Sequence, residues 1–184
     1  TVWIFNKKLP TLSTPEPDPY PLHVMAFEAL LAIADFVDVN REKAKDHATL
    51  CIWPPKGQNW GHAALLLSDN TYISWWPANE PNKWTKGAEK RPGTPTTLEH
   101  DKKAEGCEPQ RYPIKIPAEL YAFELWEEFK KHPTVGYWVL NVNCAKVVVA
   151  ALMAGGVKIS FEDEAIWKPL HILKYVKPYL VKKK

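Results

Sequence analysis

Two residues in this 184-residue chain are of a type, and in a position, to do chemistry at a carbonyl carbon. Cys144 opens the run Cys144-Ala145-Lys146-Val147-Val148-Val149, which reads as the first turns of a helix with Asn143 as its cap. A thiol attacks carbonyls as its thiolate, and a helix N-terminus favours that anion through outward-pointing N–H groups and the macrodipole. The same N–H groups suit the oxyanion of a tetrahedral intermediate. Taken alone, the position equally suits a small cap residue packed against a sheet. His62 opens a strand directly after Asn59-Trp60-Gly61, where glycine lets another backbone or a substrate approach closely. A lone His at a strand end is more often structural than basic. His23, His47, His100, His132 and His171 lack even that context and read as structural.

The elements that must position these two residues are legible from period and punctuation. Residues 1–22 carry Pro10, Pro15, Pro17, Pro19 and Pro21, a density that predicts an extended surface arm. Apolar spacing from Leu22 to Val37 predicts a helix. Thr49 to Trp53 reads as a buried strand stopped by Pro54-Pro55. His62–Leu67 and Thr71–Trp76 flank Ser68-Asp69-Asn70, a hairpin signal. Residues 77–109 are polar with no sustained period, which predicts one long loop forming a mobile flap beside the site. Arg111–Ile116 alternates like a strand. Ala118–Lys131 carries an apolar stripe with charges opposite, and Gly136–Leu140 reads as extended. The Cys144 helix ends at Gly155-Gly156, and an amphipathic stretch from Glu162 to Leu180 is interrupted by Pro169 and Pro178. The expected fold class is α+β: a single domain over residues 1–184 with an antiparallel sheet packed against helices, one of them bearing Cys144.

The segments Gly61-His62-Ala63-Ala64-Leu65-Leu66-Leu67-Ser68-Asp69-Asn70-Thr71-Tyr72-Ile73-Ser74 and Asn143-Cys144-Ala145-Lys146-Val147-Val148-Val149 together resemble the circularly permuted NlpC/P60-like branch of the papain-like superfamily, which includes the lecithin:retinol acyltransferase-like proteins. There the His-bearing strand precedes the Cys-bearing helix. The resemblance implies that His62 is the base and Cys144 the nucleophile, a pairing that spacing alone does not show. It also places a second His of the family on Ser74, where a hydroxyl offers a hydrogen bond without charge. The resemblance thus leaves three arrangements: Ser74 in a weaker version of that role, Asp69, Asn141 or Asn143 as the orienting group, or a plain dyad. Trp75 and Trp76 follow the second strand near the expected mouth of the site. Strand alternation sends them to opposite faces, so at least one belongs to the core and the other is a candidate wall of a substrate groove, with Asn143 beside it. Gln58 and Asn59 are candidate oxyanion donors.

Composition narrows the classes. Hydrophobic residues make up 46% and charged residues 24% of the chain, which is ordinary globular usage. A net charge of +3 with no nucleic-acid motif argues against a nucleic-acid partner, and the Lys182-Lys183-Lys184 end reads as a solvated tail. No apolar run reaches the roughly 20 residues that span a bilayer. Three cysteines without a CxxC pair offer neither a closed disulfide framework nor a zinc site, so no metal or cofactor is expected. Cys51 in an apolar run and Cys107 in a polar loop read as incidental thiols. The start without Met points to a processed form or a piece of something longer, and a soluble, secreted or delivered effector setting is an expectation on that ground. The first functional expectation is a cysteine hydrolase of amide bonds: a peptidase, a peptidoglycan amidase or endopeptidase, or a deamidase, within a toxin or effector. The second is a lipid acyltransferase or thioesterase. The third is a non-catalytic binding module that keeps the fold. The expected partner is accordingly a peptide, protein or lipid acyl substrate.

Overall fold

A computed structural model describes residues 47–57, 59–78, 92–132, 136–137 and 142–182. The arm over 1–22, the helix expected over 22–37, Gln58 and Asn141 lie outside the described residues. Six strands are described: β1 (Ala48–Trp53), β2 (His62–Leu66), β3 (Tyr72–Ile73), β4 (Trp75–Pro77), β5 (Gly93–Pro95) and β6 (Gln110–Ile114). Four helices accompany them: α1 (Leu98–Glu105), α2 (Glu119–Lys130), α3 (Cys144–Ala154) and α4 (Pro169–Val176). The main sheet runs β3-β2-β1-β6 and is antiparallel throughout, while β4 and β5 form a separate antiparallel pair. The class is α+β, with helices packed on an antiparallel sheet.

β1 lies at the centre, and its two faces explain its unbroken apolar run. Leu50 and Ile52 join Ala63, Leu65, Val148 and Leu152 in the main core. Cys51 and Trp53 point the other way, forming a small cluster with Ala64 against which Tyr72 and Leu98 pack. That second layer comes from α1, inside the segment expected to be a polar flap. The expectation fails over residues 92–109 for an identifiable reason. Thr97 caps the helix by accepting from the His100 N–H, and Gly106 ends it at φ 71°. Pro95 and Pro109 bracket eight helical residues without interrupting them. With Leu98 as its one large apolar residue, the helix shows no stripe that periodicity would detect. Residues 79–91 of the same stretch lie outside the described residues.

α3 is buried nearly all round: Cys144, Ala145, Val147, Val148, Val149, Ala150, Ala151, Leu152 and Ala154 are all inside. A helix that is apolar on every side belongs in the middle of a domain. It packs on the sheet, on α2 and on α4. Trp75 anchors the layer between β4 and α2, with its ring 4.8 Å from Phe129 and 6.5 Å from Trp126, both edge-on. Its indole N–H donates to the Gly136 carbonyl at 3.1 Å. Truncating Trp75 to Ala removes this packing and orphans that carbonyl. Urea unfolding is expected to show a loss of about 3–5 kcal/mol. A loss below about 1 kcal/mol would remove Trp75 from the core.

Candidate active site

His62 begins β2 opposite Trp53 of β1. Cross-strand partners share a face, so the imidazole lies on the side covered by α1, with its ring 5.4 Å from Trp53 and 4.6 Å from Trp76. The strand enters this position through Gly61, whose φ is +82°. A Cβ there would lie 2.2 Å from the Trp53 carbonyl oxygen, so the tight approach expected of Gly61 is made by β1 itself. The Asn59 side chain closes the turn: its Oδ1 accepts the Gly61 N–H at 2.7 Å, and its Nδ2 donates to Glu105 at 2.9 Å. Asn59 is thus committed to the turn and to α1.

The ring is 1% exposed and has a partner on each side. Nε2 lies 3.0 Å from Asp101 Oδ2 and 2.9 Å from Ser74 Oγ. Cys144 lies close enough to the ring to help raise the His62 pKa. With Nε2 committed to the carboxylate, Nδ1 is the nitrogen left for the thiol. Trp76 Nε1 stands 3.2 Å from Nε2, but an Nε2 that carries a proton for Asp101 accepts nothing. The Trp76 contact is therefore packing against the imidazole whenever the carboxylate holds that proton.

Asp101, from α1, is fully buried and surrounded by donors. Oδ2 accepts from Ser74 at 2.6 Å and from Tyr72 at 2.7 Å. Oδ1 accepts from Thr96 at 2.7 Å, and His100 Nδ1 lies 3.3 Å away. Burial opposes the charge, yet the His62 hydrogen bond and charge and the Ser74 and Thr96 hydroxyls outweigh it and hold the carboxyl well below its usual range. Burial likewise opposes the charged imidazole. The nearby Cys144, the hydrogen bond to Asp101 and the Asp101 charge overcome it, raising the His62 pKa to about 10. Base and acid thus hold each other in their ionic forms.

Cys144 is the first residue of α3 and 3% exposed. Asn143 caps the helix by accepting the Lys146 N–H at 2.9 Å, and its Nδ2 donates to the Trp167 carbonyl at 2.9 Å. Asn143 thus caps α3 and ties it to the following segment, and the orienting role falls elsewhere. Burial, with Cys144 nearby, raises the Tyr137 pKa well above its usual value. Of the other thiols, Cys51 is buried in the small cluster, where desolvation pushes its pKa up to about 11, and Cys107 is exposed.

The sequence-predicted residues separate accordingly. Cys144, His62 and Ser74 come together. Ser74 sits where the resemblance put a second His, but it braces the carboxylate as well as contacting the ring. Trp76 stays at the site, whereas Trp75 faces the core and forms no substrate wall. Asp69 accepts from the Thr71 N–H at 2.9 Å in the hairpin turn and is not the orienting group. That group is Asp101, which sequence reasoning missed. Its signal was the capped, punctuated interval Thr97 to Gly106, with Glu99 and Asp101 acidic in the first turn and Lys102 and Lys103 basic in the last. Among the described residues, no group of three or more His, Cys, Asp or Glu side chains is placed to hold a metal ion. No described helix is long and apolar enough to cross a membrane.

Three comparisons with known proteins bear on the chain. The family model of the IcsB middle domain matches residues 42–114, a span that includes His62, Ser74 and Asp101 and ends before Cys144. No curated protein and no solved structure matches the chain.

Proposed function

We propose that this chain is a thiol-dependent enzyme that passes through an acyl-Cys144 thioester, with amide bonds as its substrates. Cys144 attacks the carbonyl, His62 holds and returns the proton, and Asp101 fixes the imidazole so that Nδ1 faces sulfur. The observation that carries the reading is the commitment of His62 Nε2 to a buried, fully hydrogen-bonded carboxylate, with Cys144 at a helix N-terminus close enough to help raise the His62 pKa. A binding module has no use for that arrangement, and its ionic groups cost burial energy to keep. The order of His strand, acid and Cys helix along the chain supports a permuted papain-like architecture. A toxin or effector setting remains part of the proposal.

Transfer of a lipid acyl group is the second reading. It would require widening the apolar void beside α3 lined by Ile73, Leu125, Trp126, Phe129, Val147 and Ala151, which is only about 10 Å³. Val147 and Ala151 lie one and two turns beyond Cys144 on the same face of the helix.

Nitrophenyl esters test both readings. p-Nitrophenyl acetate is expected to give a stoichiometric burst, with the acyl group mapped by mass spectrometry to the Cys144 peptide. Cys144→Ala is expected to lower the burst rate by at least about 10³-fold. A burst that survives in this variant, or label on Cys51 or Cys107, overturns the nucleophile. Faster acylation by the octanoyl than by the acetyl ester supports the lipid reading, and equal rates favour amide hydrolysis.

A further inference from the structure

An indole is ordinarily kept inside for its apolar area, with its N–H given a partner. Trp60 has neither. It is 39% exposed, while Trp53, Trp75, Trp76, Trp126 and Trp167, the other described tryptophans, are buried. Its indole N–H has no partner among the described residues. The turn that presents it is pinned on both sides: Lys56 and Asn59 exchange backbone hydrogen bonds at 3.0 Å, and Asn59 Oδ1 holds the Gly61 N–H at 2.7 Å. The indole therefore stands at a fixed place just before His62. Over its ring, 5.3 Å from the centroid, lies the Lys168 ammonium. Lys168 follows Trp167, whose carbonyl accepts from Asn143 Nδ2 immediately before Cys144. The Trp60–Lys168 contact thus joins the segment carrying the base to the segment tied to the nucleophile, and both of its side chains face solvent. Among the described residues Lys168 forms no ion pair. Glu105 is held by Asn59, and Glu164 pairs with His171 and Lys174.

We infer that Trp60 and Lys168 form a substrate-binding subsite for a carboxylate carried next to the bond that Cys144 attacks. The inference rests on the reading of Cys144 as the acyl-accepting nucleophile. Both free groups are donors, and neither has an acceptor of its own. An ionised carboxylate is acceptor-only, and its two oxygens can take the ammonium and the indole N–H together. The ring face also holds the ammonium in place, so less side-chain freedom is lost when the anion arrives. Lys168 supplies the charge, and Trp60 fixes where that charge stands. For an amide substrate, this describes a peptide with an acidic residue beside the cleaved bond.

Paired nitrophenyl esters test the subsite at low ionic strength, where an exposed charge is least screened. The p-nitrophenyl monoester of adipic acid, set against p-nitrophenyl hexanoate, puts the carboxylate on the acyl side. 3-Carboxy-4-nitrophenyl acetate, set against p-nitrophenyl acetate, puts it on the leaving group. The quantity read is the ratio of acylation rate constants, charged over neutral, within each pair. Lys168→Glu is expected to lower that ratio about tenfold or more in at least one pair, and Lys168→Ala by a smaller factor. Trp60→Ala is expected to lower the same ratio severalfold, with Trp60→Phe between it and the unmodified protein. Both side chains are exposed, and circular dichroism confirms that each variant is folded. Because a ratio is read, a general loss of activity does not imitate the effect. Ratios that stay within about twofold in both pairs, or that rise in the Glu variant, overturn the inference. A fall in the Lys168 variants with none in Trp60→Ala also overturns it, because the charge then acts without the subsite. An unmodified protein that no neutral ester acylates overturns the acyl-enzyme reading and this inference with it. A normal burst with unchanged ratios overturns this inference alone.

Discussion

Replacing Asp101 with Ala is expected to slow Cys144 acylation by about 10³–10⁴-fold and to lower stability by about 3–5 kcal/mol. The carboxylate is fully buried and takes hydrogen bonds from Tyr72, Ser74 and Thr96 in addition to His62. Its removal orphans those donors and leaves the imidazole without an orienting partner. Asp101→Asn divides the effect. An amide oxygen in place of Oδ2 still accepts from His62 and its neighbours, and the amide N–H₂ donates to the Thr96 hydroxyl. Orientation is kept and charge is lost, so its rate is expected to fall between those of the Ala variant and the unmodified protein.

The same pair sets the pH response. The His62 pKa is raised, so its contribution to stability is complete below its unfolded value near 6.5 and is lost as pH rises through about 10. The Asp101 pKa is depressed, so its contribution is present above an unfolded value of about 3.9 and is lost as pH falls through the lower folded value. Both ionic forms therefore coexist over a broad neutral window. Acylation by the unmodified protein is expected to hold an alkaline limb near pH 10, which moves to lower pH in either Asp101 variant. Stopped-flow burst kinetics across pH, with urea unfolding at neutral pH, measure these quantities. An Ala variant that retains a tenth of the rate, or an alkaline limb that stays in place, would remove Asp101 from the mechanism.

Gly61→Ala is the second change with a large expected effect. The added methyl would stand 2.2 Å from the Trp53 carbonyl oxygen and 3.0 Å from backbone atoms of Pro54 and Pro55, at a φ of +82°. Backbone flanked by two prolines has little freedom to withdraw. A left-handed conformation for a non-glycine residue adds about 1 kcal/mol or more. The Trp53–His62 end of the β1–β2 ladder must therefore open, carrying the imidazole away from Cys144 and Asp101. A total loss of about 3 kcal/mol corresponds to a melting temperature roughly 6–12 °C lower in a chain of this size. Acylation is expected to fall by at least about 10²-fold, because small displacements of a base are costly. A variant that melts within about 2 °C of the parent and acylates normally would show that the turn is not what seats His62.

What could be read from the chain divides along physical lines. Elements whose own residues carry a strong period were legible: the β1 run, the hairpin around Asp69-Asn70, the stripe of α2 and the apolar α3 beginning at Cys144. The hairpin turn appears as expected, with Asn70 at φ 71°. The nucleophile and base could be nominated because each opens an element, which is a local property. Asp101 had no such mark. Its helix is short, polar and held chiefly by one leucine and by hydrogen bonds to distant residues. Those bonds exist only after β2, β3 and α1 have met, so no local pattern carries them. Ser74 was singled out through the resemblance, but its 2.6 Å bond to the carboxylate is tertiary information. Trp75 and Trp76 show the same limit. Alternation assigns them to opposite faces, yet which face becomes core depends on where α2 lands.

The way the acid is delivered bears on how the protein fails. α1 reaches the sheet through Leu98 and the buried Asp101, while its other side carries a surface ion-pair set in which Lys102 meets Glu99 and Glu108. Exposed pairs of this kind contribute little to holding an element down. The sheet and α3, by contrast, form one continuous apolar core. Segments with few buried apolar contacts open at lower free energy than the global unfolding of their domain. α1 is therefore expected to detach first on warming, taking the carboxylate away from a molecule whose sheet, central helix and thiol are still in place. On the proposed reading, loss of acylation on warming is expected to begin as a reversible loss of that carboxylate, at temperatures where the folded signal has scarcely changed.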